Sequence, residues 1–233
     1  MTEPGRDETR DKLLFTPGPL TTSPGVKEAM LRDLGSRDYE FIDTIRGIRF
    51  RLVRLGGADE KEYTAIPMQG SGTFGLEAVL SSTVPPDGKL LVAVNGAYGA
   101  RLVKMAKILR IQVASIEYPE NEKVNPEDIA RALEEDEAIT HVSCCHCETT
   151  SGILNPVREI GAAVSEAGRA FFVDAMSSFG SVPVSLPECR IDYLVSSSNK
   201  CIEGVPGFSF VLARIDRSEE RRVGKGCTLR CRS

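Results

Sequence analysis

No stretch of this chain stays apolar for the roughly 18 residues that a membrane-spanning helix needs. Its first twelve residues, Met1 to Lys12, are charged rather than signal-like. The expectation is a cytoplasmic protein with no membrane partner. Excess charge is lacking as well: 29 Lys and Arg against 33 Asp and Glu leave a net charge of -4 and a pI near 5.4. Nothing in that balance suits a nucleic acid backbone, so no nucleic acid partner is expected. No lysine-bearing P-loop is present. Cysteine is not scarce, at seven residues, but ligand-like spacing is. Cys144, Cys145 and Cys147 flank His146, and no second cluster completes a zinc-like set. No metal site is expected; Cys144 and Cys145 end a predicted buried strand, where cysteine acts as a small hydrophobe.

What is present is ordinary for a globular protein, with 41% apolar and 27% charged residues in 233. That length allows one large domain or two small ones. Residues 1–12 are polar and aperiodic and are expected to be disordered. Leu13 to Leu20 then form an apolar entry into a stiff turn, Pro17-Gly18-Pro19, which reads equally as a linker or as a backbone lying along a cleft. Ser23-Pro24 predicts a helix start, with Val26, Met30 and Leu34 at helical spacing. A second helix is predicted over Tyr39 to Leu55, its apolar face made by Phe41, Ile45, Ile48 and Leu52.

From Tyr63 onward, short apolar runs alternate with amphipathic segments. The predicted strands are Thr64–Met68, Leu90–Val94, Gln112–Glu117, Ile139–Cys144, Ala170–Val173, Ile191–Val195 and Phe208–Leu212. Asn125-Pro126 and Asn155-Pro156 read as helix starts, the second helix ending at Gly168. This alternation predicts an α/β fold with a largely parallel sheet covered on both faces. Sites in such folds lie at the carboxyl ends of the strands.

The strand ends are where this sequence concentrates polar and glycine residues. Gln69-Gly70-Ser71-Gly72-Thr73 leads into a helix, and free N–H groups with two hydroxyls make a phosphate cradle, although a plain glycine-rich turn reads the same way. Asn95-Gly96-Ala97-Tyr98-Gly99 places an aromatic ring between glycines, for stacking on a flat ligand or for ordinary packing. His146 to Gly152 is dense in hydroxyls. Asp174 stands directly behind Ala170-Phe171-Phe172-Val173, where a carboxylate either caps a helix or meets a buried cation or donor. Lys200 sits in Ser196 to Gly207, between two predicted strands; taken alone it is a surface lysine, yet lysine is also the side chain that condenses with carbonyl compounds. A phosphate, a flat ring, a group needing a buried carboxylate and a carbonyl for a lysine are together met by pyridoxal phosphate.

Ser71-Gly72-Thr73, Asn95 to Gly99, Glu148 to Gly152, Asp174 and Ser198-Asn199-Lys200 occur in an order that resembles the class V aminotransferases, pyridoxal phosphate enzymes of fold type I. The resemblance covers residues 13–214 and implies that this segment is the large, cofactor-binding domain. It implies Lys200 as the covalent anchor and proton shuttle, and Asp174 as partner of the protonated pyridine nitrogen. Ser71, Gly72 and Thr73 would take the cofactor phosphate, Tyr98 would stack on the ring, and Thr149 would bond near the ring oxygen. Within the class the chain looks most like members that move an amino group from 2-aminoethylphosphonate to pyruvate. Those acting on alanine and glyoxylate, or serine and pyruvate, share the same motifs, and a catalytically silent cofactor-binding fragment is the other reading. The implied partners are a small amine donor, a 2-oxo acid and a second copy of the chain. The family continues into a small C-terminal domain that supplies an arginine for the substrate carboxylate, and this chain is expected to lack it. Residues 215–233, rich in arginine, are expected to be a non-native tail.

Overall fold

The computed structural model describes residues 12–219. Residues 1–11 of the N-terminal segment expected to be disordered, and residues 220–233 of the expected tail, including Cys227 and Cys231, lie outside the described residues.

Seven strands form one sheet: β1 (Tyr63–Gln69), β2 (Lys89–Val94), β3 (Gln112–Glu117), β4 (Ile139–Cys145), β5 (Ala170–Asp174), β6 (Tyr193–Ser197) and β7 (Phe208–Arg214). Their spatial order is β1-β7-β6-β5-β4-β2-β3. Strand β7 runs antiparallel to both neighbours, β1 and β6, while the remaining pairs are parallel. Every residue of the central strands β5 and β6 is buried, as expected for strands covered on both faces. Two apolar cores result. One packs α2 (Tyr39–Leu55), α5 (Pro126–Glu135) and α6 (Val157–Glu166) on one face, and the other packs α3 (Gly72–Thr83) and α4 (Ala97–Ile108) on the opposite face.

The α/β class, the mostly parallel sheet and the seven strands read from periodicity are all present. Three local expectations differ. Helix α1 (Pro24–Ala29) has the Ser23 cap, whose Oγ accepts from the Val26 N–H, but stops before Met30 and Leu34. None of its residues is buried, so no packing gain extends so short a helix. In α2 only Leu52 and Val53 are buried; Phe41 and Ile45, at its start, are half-buried. Asn155 does not cap α6. It is buried, and its amide pairs reciprocally with that of Asn95, accepting also from the Val124 N–H and donating to the Cys145 carbonyl.

Residues 215–219 follow β7 as the short helix α7 (Ile215–Glu219). The Ile215 N–H donates to the Glu62 carbonyl, and Arg214 and Arg217 both approach the buried Asp192 carboxylate. No helix among the described residues is long and apolar enough to cross a membrane. Cys144 and Cys145 are buried, and burial pushes both thiols upward, as befits interior packing residues.

Candidate active site

The parallel run of β1, β2, β4, β5 and β6 brings five carboxyl ends to one edge of the sheet, and each is followed there by one of the motifs. Because β7 is antiparallel, the connection from β6 to β7 turns back without leaving that edge, and Lys200 rides on it. The connection is braced from within. The Ser198 hydroxyl donates to the carbonyls of Val205 and Phe208, and the Ser198 carbonyl accepts from Gly204. Glu203 adopts a positive φ of 60° in the turn and returns its N–H to the Lys200 carbonyl. Lys200 is half-buried, its Nζ 3.5 Å from the Gly18 carbonyl. Gly18 is required there: a Cβ on it would lie 2.4 Å from Lys200 Cδ, and its φ of 141° disfavours other residues. The Pro17-Gly18-Pro19 turn therefore lies against the lysine rather than acting as a free linker.

Asp174 ends β5, with 3% of its surface exposed. Its Oδ1 accepts from the Met176 N–H at 3.0 Å, whereas Oδ2 is buried with no hydrogen-bond partner. Burial pushes its pKa up to about 6; the Met176 N–H opposes that shift, the Glu148 charge adds to it, and Arg101 and Lys200 oppose it. An interior carboxylate oxygen left unpaired is costly, which marks this atom as built for a cationic or donor group. The turn after Asp174 also touches the glycine-rich segment, since a Cβ on Gly72 would fall 2.5 Å from Met176 Sδ.

Ser71 caps α3, its Oγ accepting from the Phe74 N–H, so Gly72 and Thr73 occupy the helix's first turn with N–H groups directed out of its N-terminus. Tyr98 lies in the first turn of α4, half-buried, with the Arg101 guanidinium 4.7 Å from its ring centroid. Thr149 follows β4, and its hydroxyl meets that of Ser177 at 2.5 Å. His146, expected in the same stretch, is buried with Nδ1 2.9 Å from Ser178 Oγ, and burial holds its pKa low. Lys200, Arg101 and Glu148 are all close enough for their charges to act on Asp174.

The sequence pattern assigns no part to Glu148, Ser177 or Arg101. Glu148 is fully buried and binds the start of α4. Nothing in its local sequence signals that; a partner 50 residues away decides it. A cavity of about 810 Å³ lies elsewhere, lined by residues near the amino ends of β4, β5 and β6 (Thr140, His141, Ala170 and Tyr193) and holding none of the site residues. Charge, burial and the motifs coincide at the carboxyl edge and not at this apolar hollow.

The sequence profile of the family described as "Aminotransferase class-V" matches residues 26–227. The chain belongs to the class V aminotransferases. That family is one of pyridoxal phosphate-dependent enzymes. Among curated proteins, the chain is 47% identical over 217 residues to 2-aminoethylphosphonate–pyruvate transaminase of Bacillus cereus strain G9842, covering 93% of this chain and 59% of that protein. It is 48% identical over 204 residues to the protein of the same name from strain ATCC 10987 / NRS 248, covering 88% and 56%. The chain thus spans little more than half the length of the curated relatives it matches. Among solved structures, alanine–glyoxylate aminotransferase from Nostoc sp. superposes with a TM-score of 0.86 at 28% identity, over 97% of this chain and 59% of that one. Pyridoxamine–pyruvate aminotransferase from Mesorhizobium loti gives 0.85 at 28% identity, over 95% and 56%. This class V chain therefore has the fold type I arrangement that its motifs implied.

Proposed function

We propose that residues 13–214 form the cofactor-binding part of a transaminase that, in the whole protein, moves the amino group of 2-aminoethylphosphonate to pyruvate, giving phosphonoacetaldehyde and L-alanine. The observation that carries the cofactor reading is the buried, partnerless Oδ2 of Asp174 within electrostatic reach of Lys200. Pyridoxal phosphate fits this donor set, and when bound it supplies the electron-withdrawing ring that amino-group transfer needs. Asp174 would hold a proton on the pyridine nitrogen, its Oδ2 gaining the partner it lacks. Lys200, on its braced loop, would anchor the cofactor covalently and then carry the substrate's proton. The first turn of α3, Ser71-Gly72-Thr73, would take the phosphate through backbone N–H groups and hydroxyls. Tyr98 would cover one ring face, and the Thr149 hydroxyl would bond near the ring oxygen.

The amine donor is supported by the names of the relatives at 47–48% identity. The alanine–glyoxylate structure, at 28%, supports only the shared scaffold. Borohydride reduction of the protein loaded with pyridoxal phosphate should fix the label on Lys200. In Lys200→Ala that label and the visible absorbance of the bound cofactor should both be lost, while the far-ultraviolet circular dichroism is unchanged. A label surviving in the variant would falsify the assignment. For the donor, 2-aminoethylphosphonate, alanine and serine are compared side by side, with the C-terminal part of the relatives joined to residues 13–214. Faster turnover of alanine or serine would replace the phosphonate reading.

A further inference from the structure

Glu148 is a fully buried carboxylate whose hydrogen-bond partners among the described residues are all neutral donors. Its Oε2 accepts from the N–H groups of Tyr98 and Gly99, both at 3.2 Å, and its Oε1 from the Thr150 N–H and hydroxyl at 3.3 and 3.1 Å. It thereby does for α4 what an N-cap side chain normally does, satisfying N–H groups at the positive end of the helix. The cap position itself is Gly96, which has no side chain to offer. Gly96 is glycine for space, since a Cβ there would lie 2.3 Å from Glu148 Cγ, 2.5 Å from its Cδ and 2.7 Å from Thr150 Oγ1.

A serine at position 96 would cap the same helix locally, without burying a charge. The arrangement found instead ties the first turn of α4 to the loop after β4, two segments 50 residues apart. Those segments carry Tyr98 and Thr149, which the proposed cofactor site needs in fixed relation to each other and to Asp174. We infer that Glu148 is a positioning residue for the cofactor: it holds the first turn of α4, and so the Tyr98 ring, in register with the Thr149 loop. This rests on the pyridoxal phosphate reading above.

The test measures the dissociation constant for pyridoxal phosphate and the melting temperature of the cofactor-free chain in parallel. Glu148→Ala should lower the melting temperature and weaken binding about three- to tenfold, the range for one aromatic contact. Adding Gly96→Ser and Thr150→Ala to Glu148→Ala places a cap in the vacated space, the second change clearing the hydroxyl that would otherwise lie 2.7 Å from the new Cβ. The melting temperature should then recover while binding stays weak, because the local cap does not rebuild the tie to the β4 loop. Recovery of both would overturn the inference and leave Glu148 a helix cap only. Where Glu148→Ala does not fold, Glu148→Gln and Tyr98→Ala decide by a double-mutant cycle. Effects on binding that do not add support action through Tyr98, and effects that add refute it. Failure of the cofactor reading shows separately, as no borohydride label on Lys200 in the unsubstituted chain.

Discussion

Asp174 holds one carboxylate oxygen in the interior without a partner, and burial pushes its pKa up to about 6. An unfolded aspartate loses its proton near 3.8. Between those values the folded chain binds a proton that the unfolded chain does not, so stability falls as pH rises through that window and the loss is complete above about 6. The gap corresponds to about 3 kcal/mol. In the cofactor-free chain, Asp174→Asn should therefore gain up to about 3 kcal/mol relative to wild type between about pH 4 and pH 7. Urea midpoints of the two proteins across that range check it; a constant difference would mean that Asp174 is not protonated in the folded chain. At this scale the sequence was informative wherever a residue type is rare in its position. A carboxylate directly after four apolar residues and a lysine between polar residues and glycines are such cases. It was silent on Glu148 and Arg101, whose types are common on surfaces and whose meaning lies in what they touch.

The helices show where periodicity suffices and where it does not. Val157, Ile160, Val164 and Ala167 repeat at helical spacing; the first three are buried in α6, whereas Ala167 is its exposed C-cap. Gly161, on the same helix, sits against the Cys189 carbonyl, and a Cβ there would come within 1.9 Å of that oxygen. Gly161→Ala should push α6 away from the turn that carries Cys189 and cost about 1–3 kcal/mol. Gly47, in α2, has nothing within 4 Å of its Cβ position, so Gly47→Ala should stabilise by up to about 1 kcal/mol through helix propensity. Thermal melts of the two variants should move in opposite directions; a shared direction would show that propensity, not contact, governs both. Asn155 teaches the same lesson from the polar side. Before proline it reads as a cap, yet its amide is consumed by Asn95, Val124 and Cys145. A local rule yields there to a buried network that leaves fewer polar groups unsatisfied.

For the molecule as a whole, the carboxyl edge gathers the residues proposed to hold the cofactor, while the relatives extend well beyond the length matched here. If an arginine in that further part anchors the substrate carboxylate, two charge-assisted hydrogen bonds at about 1.5–3 kcal/mol each are at stake. Turnover of 2-aminoethylphosphonate with pyruvate by the 233-residue chain should then fall at least about a hundredfold below that of residues 13–214 joined to the relatives' C-terminal part. Equal rates would show that these residues hold their own carboxylate site.

Strand and helix alternation, the seven strands and the placing of each motif behind a strand were determined by the sequence alone. They rest on side-chain periods of two and 3.6 and on local turn chemistry, which neighbouring residues specify among themselves. Strand order was not so determined. That β2 lies beside β4, and that β7 runs antiparallel between β1 and β6, depends on which apolar faces pack together in three dimensions. Only that packing sets Lys200 against Gly18, Gly72 against Met176, and Glu148 beneath the first turn of α4. Each is a contact across at least 49 residues of chain, and no local pattern encodes it, because the energy that selects it is the burial of the whole sheet.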